Sequence, residues 1–327
     1  GRDCFEEAAH HLAEVARLDP ADGKTRLRLA RALGHLGRVE DQIQELMGVL
    51  AFSPDHRSVH AQLGKLYLGR ECFFEAAHHL AEVARLDPTN AKNLWRLANT
   101  LGRLGRVEDQ IQVLVEMLEV APDHQAGHAQ LGKLYLGRDC FEEAAHHLAE
   151  VVRLDPTDIK NRLRLANTLG RMDRVEDQIK ELLGVLTVAP DNQAIHAQLG
   201  ELYLGRDCFD EAAHHLAEVA RLDPTDTKNR WRLANTLGRM DRVEDQIKEL
   251  LDVLTVAPDH QAIHAQLGEL YLGRDCFEEA AHHLAEVARL DPADIKNRLG
   301  LANTLGRMGR VEDQIKELLD VLTVAPD

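Results

Sequence analysis

Apolar residues recur along this chain at helical spacing and nowhere at the two-residue spacing of a strand. Between Leu131 and Pro156, Leu131, Leu134 and Tyr135 share one helix face, while Phe141, Ala144, Ala145, Leu148 and Val151 share another. Gly137 separates the two amphipathic segments and Pro156 closes the second. Nearly the same string closes at Pro20, Pro88, Pro224 and Pro292, at intervals of 68 residues. A related string, LANTLGRMDRVEDQIKELLGVLTVAP in one copy, closes at Pro54, Pro122, Pro190, Pro258 and Pro326, so all ten prolines keep a 34-residue period. Units of this length bury their apolar faces only against their neighbours, so the chain reads as a stacked array rather than as globular domains.

Each unit has one plan. A polar start after the proline, such as Asp123 or Thr157 with Asp158, supplies oxygens to cap the first turn of a helix. That first helix, about 12–14 residues, runs to a glycine (Gly137 or Gly170) suited to a C-cap with positive φ. A second helix of about 14 residues runs to the next proline, which stops it. Units containing DCFEEAAHHL (type A) alternate with units containing RVEDQIKELL (type B); residues 140–207 and 208–275 differ at only six positions. No linker or composition shift interrupts the pattern. The expected organisation is one continuous array over 1–327, with the second helix of a truncated repeat in 1–20 and nine further repeats in 21–327. Both ends are expected to be uncapped. The first helix, Cys4 to Leu18, has no partner before it, and Asp327 follows directly on a repeat proline.

Composition narrows the function. Hydrophobic residues make up 44% of the chain but aromatics only 4%, so Leu, Ala and Val form the core. A net charge of −16 argues against nucleic-acid binding, which calls for a basic face. No apolar run approaches the roughly 18 residues of a membrane span. Cys4, Cys72, Cys140, Cys208 and Cys276 occupy one position of the 68-residue unit. Repeats two apart cannot bring their Cα atoms within the roughly 7 Å of a disulfide. Five free thiols fit a reducing compartment such as the cytoplasm by default, although buried thiols also survive outside cells.

The 34-residue plan resembles the tetratricopeptide repeat family over the whole chain. Type A matches the family pattern at Leu131, Gly132, Tyr135, Ala144, Leu148, Val151 and Pro156, and type B matches it at Leu165, Ala166, Leu169, Leu182, Val185 and Pro190. The family's early Trp is replaced by His128 in type A and Arg162 in type B. Its small second-helix Ala becomes Gln178 in type B, recurring as Gln42, Gln110, Gln246 and Gln314; this demands a hydrogen-bond partner or a looser helix crossing. The resemblance implies an all-α solenoid of stacked antiparallel helix pairs forming a right-handed superhelix, with first helices lining a concave groove. It places Asn99, Asn167, Asn235 and Asn303 on the groove face, with Arg31 standing in the first copy. Arg103, Arg171, Arg239 and Arg307 follow one turn later, type A contributes Lys65 and Lys133 but then Glu201 and Glu269, and Trp95 and Trp231 are possible aromatic anchors. Asparagine can bond a peptide backbone and arginine or lysine can grip carboxylates; the same residues also suit a plain solvated helix face.

Two histidine patterns stand apart. In His146–His147 and its four copies, Glu142 and Glu143 precede the histidines by four residues. Zinc needs about four converging ligands, however, and adjacent histidines diverge by about 100° on a helix. The pattern therefore reads as an outer-face Glu–His pairing for His146 with His147 partly packed. The row His60, His128, His196 and His264 reads as packing in a gap between helices. Catalytic constellations and cofactor motifs are absent, and residues repeating five times in register do not resemble a single active site. The expected function is a non-catalytic scaffold binding a protein or peptide, a repetitive one included, in the groove. The alternative is a structural one, a segment of a long or head-to-tail self-assembling fibre. Metal binding by the outer His and Glu residues comes third.

Overall fold

A computed structural model describes residues 2–324. Pro326, the ending at Asp327 and the opening Gly1 lie outside them. Among the described residues there are nineteen α-helices and no strand. The chain divides into two compact units, 1–174 and 175–327. Unit 1 holds α1 (Arg2–Leu18), α2 (Gly23–His35), α3 (Val39–Phe52), α4 (Arg57–Gly69) and α5 (Phe73–Leu86). It continues with α6 (Ala91–Arg103), α7 (Val107–Val120), α8 (Gln125–Leu136), α9 (Phe141–Leu154) and α10 (Ile159–Arg171). Unit 2 holds α11 (Val175–Leu186), α12 (Gln193–Leu204), α13 (Phe209–Leu222), α14 (Thr227–Arg239) and α15 (Val243–Val256). It ends with α16 (Gln261–Leu272), α17 (Phe277–Leu290), α18 (Ile295–Arg307) and α19 (Val311–Val324). Within each unit the helices pack in consecutive pairs, first helix on second, and each second helix then meets the next first helix.

Local chemistry explains the helix ends, with two corrections to the sequence reading. In type B the N-caps are Asp22, Asn90, Asp158, Asp226 and Asp294; the Asn161 N–H, for example, donates to Asp158 at 3.0 Å. In type A the cap is His56, His124, Asn192 or His260, one residue after the expected aspartate. Asp123 is instead engaged by Arg153 of α9 at 2.6 Å, one of a set of exposed ion pairs that each contribute little. The glycines differ too. Gly137 caps α8 with φ −67°, and Gly170 lies inside α10. The left-handed residue comes two or three positions later: Glu71, Asp139, Asp207 and Asp275 in type A, and Asp173 and Asp241 or Gly37, Gly105 and Gly309 in type B, with φ of 56–76°. Aspartate tolerates this conformation better than most residues, because its short side chain bonds locally.

Glycine's role in the first helices is close approach. A Cβ on Gly200 would lie 2.9 Å from Cγ of Leu216, which is fully buried. In type B the crossing is inverted. Gln110 and Gln246 are buried over Gly102 and Gly238, where a Cβ would meet the glutamine nitrogen at 2.6 and 2.7 Å. Glycine on one helix thus makes room for glutamine on the other, which answers the anomaly at the family's small-residue position. Gly200→Ala, normally favourable inside a helix by up to ~1 kcal/mol, should here destabilise unit 2 by about 1–3 kcal/mol through overpacking. Urea unfolding of the variant and the parent measures the sign directly.

Candidate functional site

Two rows of side chains dominate the chemistry of the repeat, one inside the helix pair and one on the first-helix face. The inner row begins six residues after each repeat proline. In type A that residue is His60, His128, His196 or His264, each 5–6% exposed. Its Nε2 lies 2.7–2.8 Å from the carbonyl oxygen of Pro54, Pro122, Pro190 or Pro258. A carbonyl only accepts, so Nε2–H donates and the neutral ring offers Nδ1 as an acceptor. The Nδ1–H of His79, His147, His215 or His283, on the second helix, donates to it at 2.9–3.0 Å. Each of these second histidines stacks on a tyrosine of the first helix, as His79 does on Tyr67 with ring centroids 5.6 Å apart. Burial, followed by the neighbouring histidines, pushes the second histidines down to about 4.

The two histidine patterns of the sequence are therefore one structure: the row packs between helices and His147 is half-buried as expected, and the outer-face pairing of His146 needs correcting. The row is hydrogen-bonded rather than merely space-filling, and it is the second histidine of each doublet that serves it. His146 is exposed, and among the described residues it forms no ion pair with Glu142. His214, its counterpart, lines a shallow crevice of about 290 Å³ floored by Leu233, Leu237 and Met240. Among the described residues no group of three or more His, Cys, Asp and Glu is placed to hold a metal ion. All five cysteines are free thiols.

Type B solves the same position with charge. Arg26 pairs with Glu45 at 2.8 Å, Arg230 with Glu249 at 2.7 Å and Arg298 with Glu317 at 3.3 Å. As in the histidine pairs, the partner lies 19 residues on. Arg26 also donates to the carbonyl of Pro20 at 2.8 Å, and Arg162 to that of Pro156 at 3.0 Å. In α6 and α7 the two positions are Leu94 and Val113, packed together in the core. Burial raises the carboxyl of Glu249 against the opposing pull of Arg230.

The first-helix face carries the residues expected from the family resemblance. Asn167, Asn235 and Asn303 are exposed and Asn99 is half-buried. Asn235 accepts a hydrogen bond from Gln266 Nε2 at 2.9 Å, while the Trp231 Nε1–H donates to Gln266 Oε1 at 3.1 Å. Trp231, Gln266 and Asn235 are thereby brought together across α14 and α16. Trp95 in unit 1 lies against His124, ring centroids 5.0 Å apart. The arginines are more committed than the sequence suggested. Arg171, Arg239 and Arg307 lie 4.1–4.4 Å over Phe141, Phe209 and Phe277. They also reach Asp139, Asp207 and Asp275 at 3.6, 3.0 and 3.0 Å. Arg103 lies 5.2 Å over Phe73. Lys65 and Lys133 are exposed, with no ion pair among the described residues. Glu201 instead pairs with Arg232, and Glu269 with Lys296 at 2.7 Å.

Consecutive helix pairs repeating one hairpin plan, with no strand among the described residues, define a helical-repeat protein. The tetratricopeptide repeat family model matches residues 2–56, and with the same plan running through α19 the chain is a tetratricopeptide-repeat array. Similar proteins include BBSome complex member BBS4 of Bos taurus, 21% identical over 324 residues that cover 96% of this chain and 60% of that protein. DnaJ homolog subfamily C member 7 of Mus musculus is 22% identical over 245 residues, covering 70% of this chain and 48% of its own length. Among solved structures, a chain in that of Naa15/Naa10 bound to HypK-THB is similar over 99% of this chain and 61% of its own, with 14% identity and a TM-score of 0.55. The chain thus spans about half to three-fifths of the length of these relatives.

Proposed function

We propose that this array is a non-catalytic scaffold that holds a protein or peptide partner along its first-helix face. Tetratricopeptide-repeat proteins generally mediate protein–protein interaction, and the relatives include a member of a named complex. The observation that carries the reading is the row Asn167, Asn235 and Asn303. These carboxamides are exposed at one repeat position while their neighbours Ala166, Ala234 and Ala302 are fully buried. A carboxamide can donate to and accept from an extended peptide backbone at once, and within unit 2 Asn235 and Asn303 offer that pairing from alternate repeats. The near-identity of the 68-residue units favours a partner that is itself repetitive.

Asparagine is also the right residue to test, because the arginines are tied to Phe and Asp within the array and their removal would disturb packing. Alanine at Asn167, Asn235 and Asn303 together should leave helicity unchanged and lower thermal stability only slightly, through loss of the exposed Asn235–Gln266 hydrogen bond. Each partner captured by the parent chain should be lost or weakened by about tenfold or more, at roughly 1 kcal/mol for each hydrogen bond. Quantitative affinity capture that returns the same proteins in the same amounts from the triple variant would end the proposal.

A further inference from the structure

The first-helix face is not uniform. One step of it, in unit 1, has the features of a distinct subsite. A cavity of about 300 Å³ lies where α4 and α5 meet α6, lined by Leu68, Phe73, Trp95, Arg96, Asn99, Thr100 and Arg103. Its floor is apolar, and both guanidinium groups at its rim are exposed. Nowhere else among the described residues of the array are both of the corresponding positions unpaired arginines. Of the counterparts of Arg96, Arg232 is paired with Glu201 and Gly300 carries no charge, while Arg28 and Arg164 share its lack of an ion pair among the described residues. Arg171, Arg239 and Arg307, the counterparts of Arg103, are paired with aspartates. Lys65 and Lys133 stand where Glu201 does, and in this step alone Glu71 replaces the aspartate. Among the described residues, neither Arg96 nor Arg103 has a carboxylate within ion-pair distance. Trp231 is bonded to Gln266, but no such bond ties Trp95.

We propose that this cavity binds an acidic peptide segment, seating one apolar side chain against Leu68, Phe73 and Trp95 while Arg96 and Arg103 grip flanking carboxylates. The inference rests on the first-helix face being the interaction face, and it adds the place and the chemistry of the partner. Charge complementarity carries it. In a chain of net charge −16 an acidic ligand is repelled along most of the surface, so a step left basic is where it is admitted. The aromatic floor supplies apolar area, and the unpaired guanidinium groups need no internal ion pair broken before they bind.

The sequence itself supplies conservative variants. Leu27, Leu163 and Leu299 occupy the tryptophan position in the other type B first helices, so Trp→Leu is tolerated by the fold. Trp231→Leu leaves Trp95 as the sole tryptophan, and Trp95→Leu leaves Trp231. The probe is an end-capped nonapeptide of glutamates with one central leucine. It is compared with its all-lysine counterpart, with glycine in place of the leucine, and with a twelve-nucleotide oligothymidylate. The leucine–glutamate peptide should shift Trp95 emission saturably and leave Trp231 emission unchanged. Arg96→Glu with Arg103→Glu should weaken binding by about tenfold or more, and Lys65→Glu, which copies Glu201, should weaken it in the same direction. Equal binding of the lysine peptide or the oligonucleotide, or an unchanged affinity in the double arginine variant, would overturn the proposal. If that variant still binds while the asparagine triple variant does not, the interaction face stands and the acidic subsite falls. If both bind as the parent does, both readings fall.

Discussion

Arg230→Leu alone should destabilise unit 2 by about 3–5 kcal/mol, and adding Glu249→Val should restore most or all of that loss. The side chains of Arg230 and Glu249 are only 11% and 16% exposed, and Arg230 Nε is buried without a partner. Removing the arginine leaves a carboxylate in a low-dielectric site with no compensating charge. Removing both leaves an apolar pair of the kind this protein already uses at Leu94 and Val113, in the same two positions of the repeat. The direction at Glu249 supports the second half of the expectation. Its carboxyl is raised, with burial as the leading cause, so desolvation outweighs the attraction of Arg230. A folded state that holds this proton more tightly than the unfolded chain gains nothing from ionising it at neutral pH. Asp252, the second acceptor of Arg230, is 44% exposed and can be solvated when the arginine is gone. Repeat arrays need not unfold in two states, so hydrogen exchange of the α14 and α15 amides is the measurement to use alongside urea. A double variant as unstable as the single one would show that the ion pair is itself a net stabiliser.

The repeat was legible because its period is written in proline and leucine, and the helix pairs followed from it. What lay beyond the sequence reading were contacts between positions with no local relation. His60 and His79 are 19 residues apart, on different helices, and no helical periodicity links them. One internal signal does point to the pairing. At the two corresponding positions the type B units carry Arg with Glu four times and Leu with Val once, at Leu94 and Val113, so the two residues change together within one chain. The glutamine anomaly has the same origin: Gln246 is explained by Gly238, eight residues earlier on the preceding helix. Asparagine's place on the first-helix face was readable from the family pattern, since it lies beside the buried alanine. The commitment of the arginines was not, because it depends on a phenylalanine and an aspartate some 30 residues earlier.

Lowering the pH from 6.5 towards 4 should weaken the fold by about 1.4 kcal/mol per pH unit for each histidine pair that unfolds. The sign follows from the direction of the shift. His79, His147, His215 and His283 are pushed from 6.5 down to about 4, with burial as the first cause. Between those values the unfolded chain binds a proton that the folded pair does not. Stability is therefore full above pH 6.5, declines as pH falls, and stops declining from this source below about 4. Only one proton fits between two Nδ1 atoms 3.0 Å apart, so the two rings of a folded pair cannot both be charged. The groups facing His79 act in both directions: His60 and His78 oppose its protonation and Glu82 favours it, without cancelling the burial. Carboxylates also titrate towards the acid end of this range, so the test is a difference between chains. His196→Leu with His215→Val transplants the Leu94–Val113 solution into a type A repeat and removes one pair. The variant should lose about one proton's worth of slope, ~1.4 kcal/mol per pH unit, and hold its stability better at pH 5 than the parent. Parallel pH profiles for the two chains would mean that this pair does not take up the proton on unfolding.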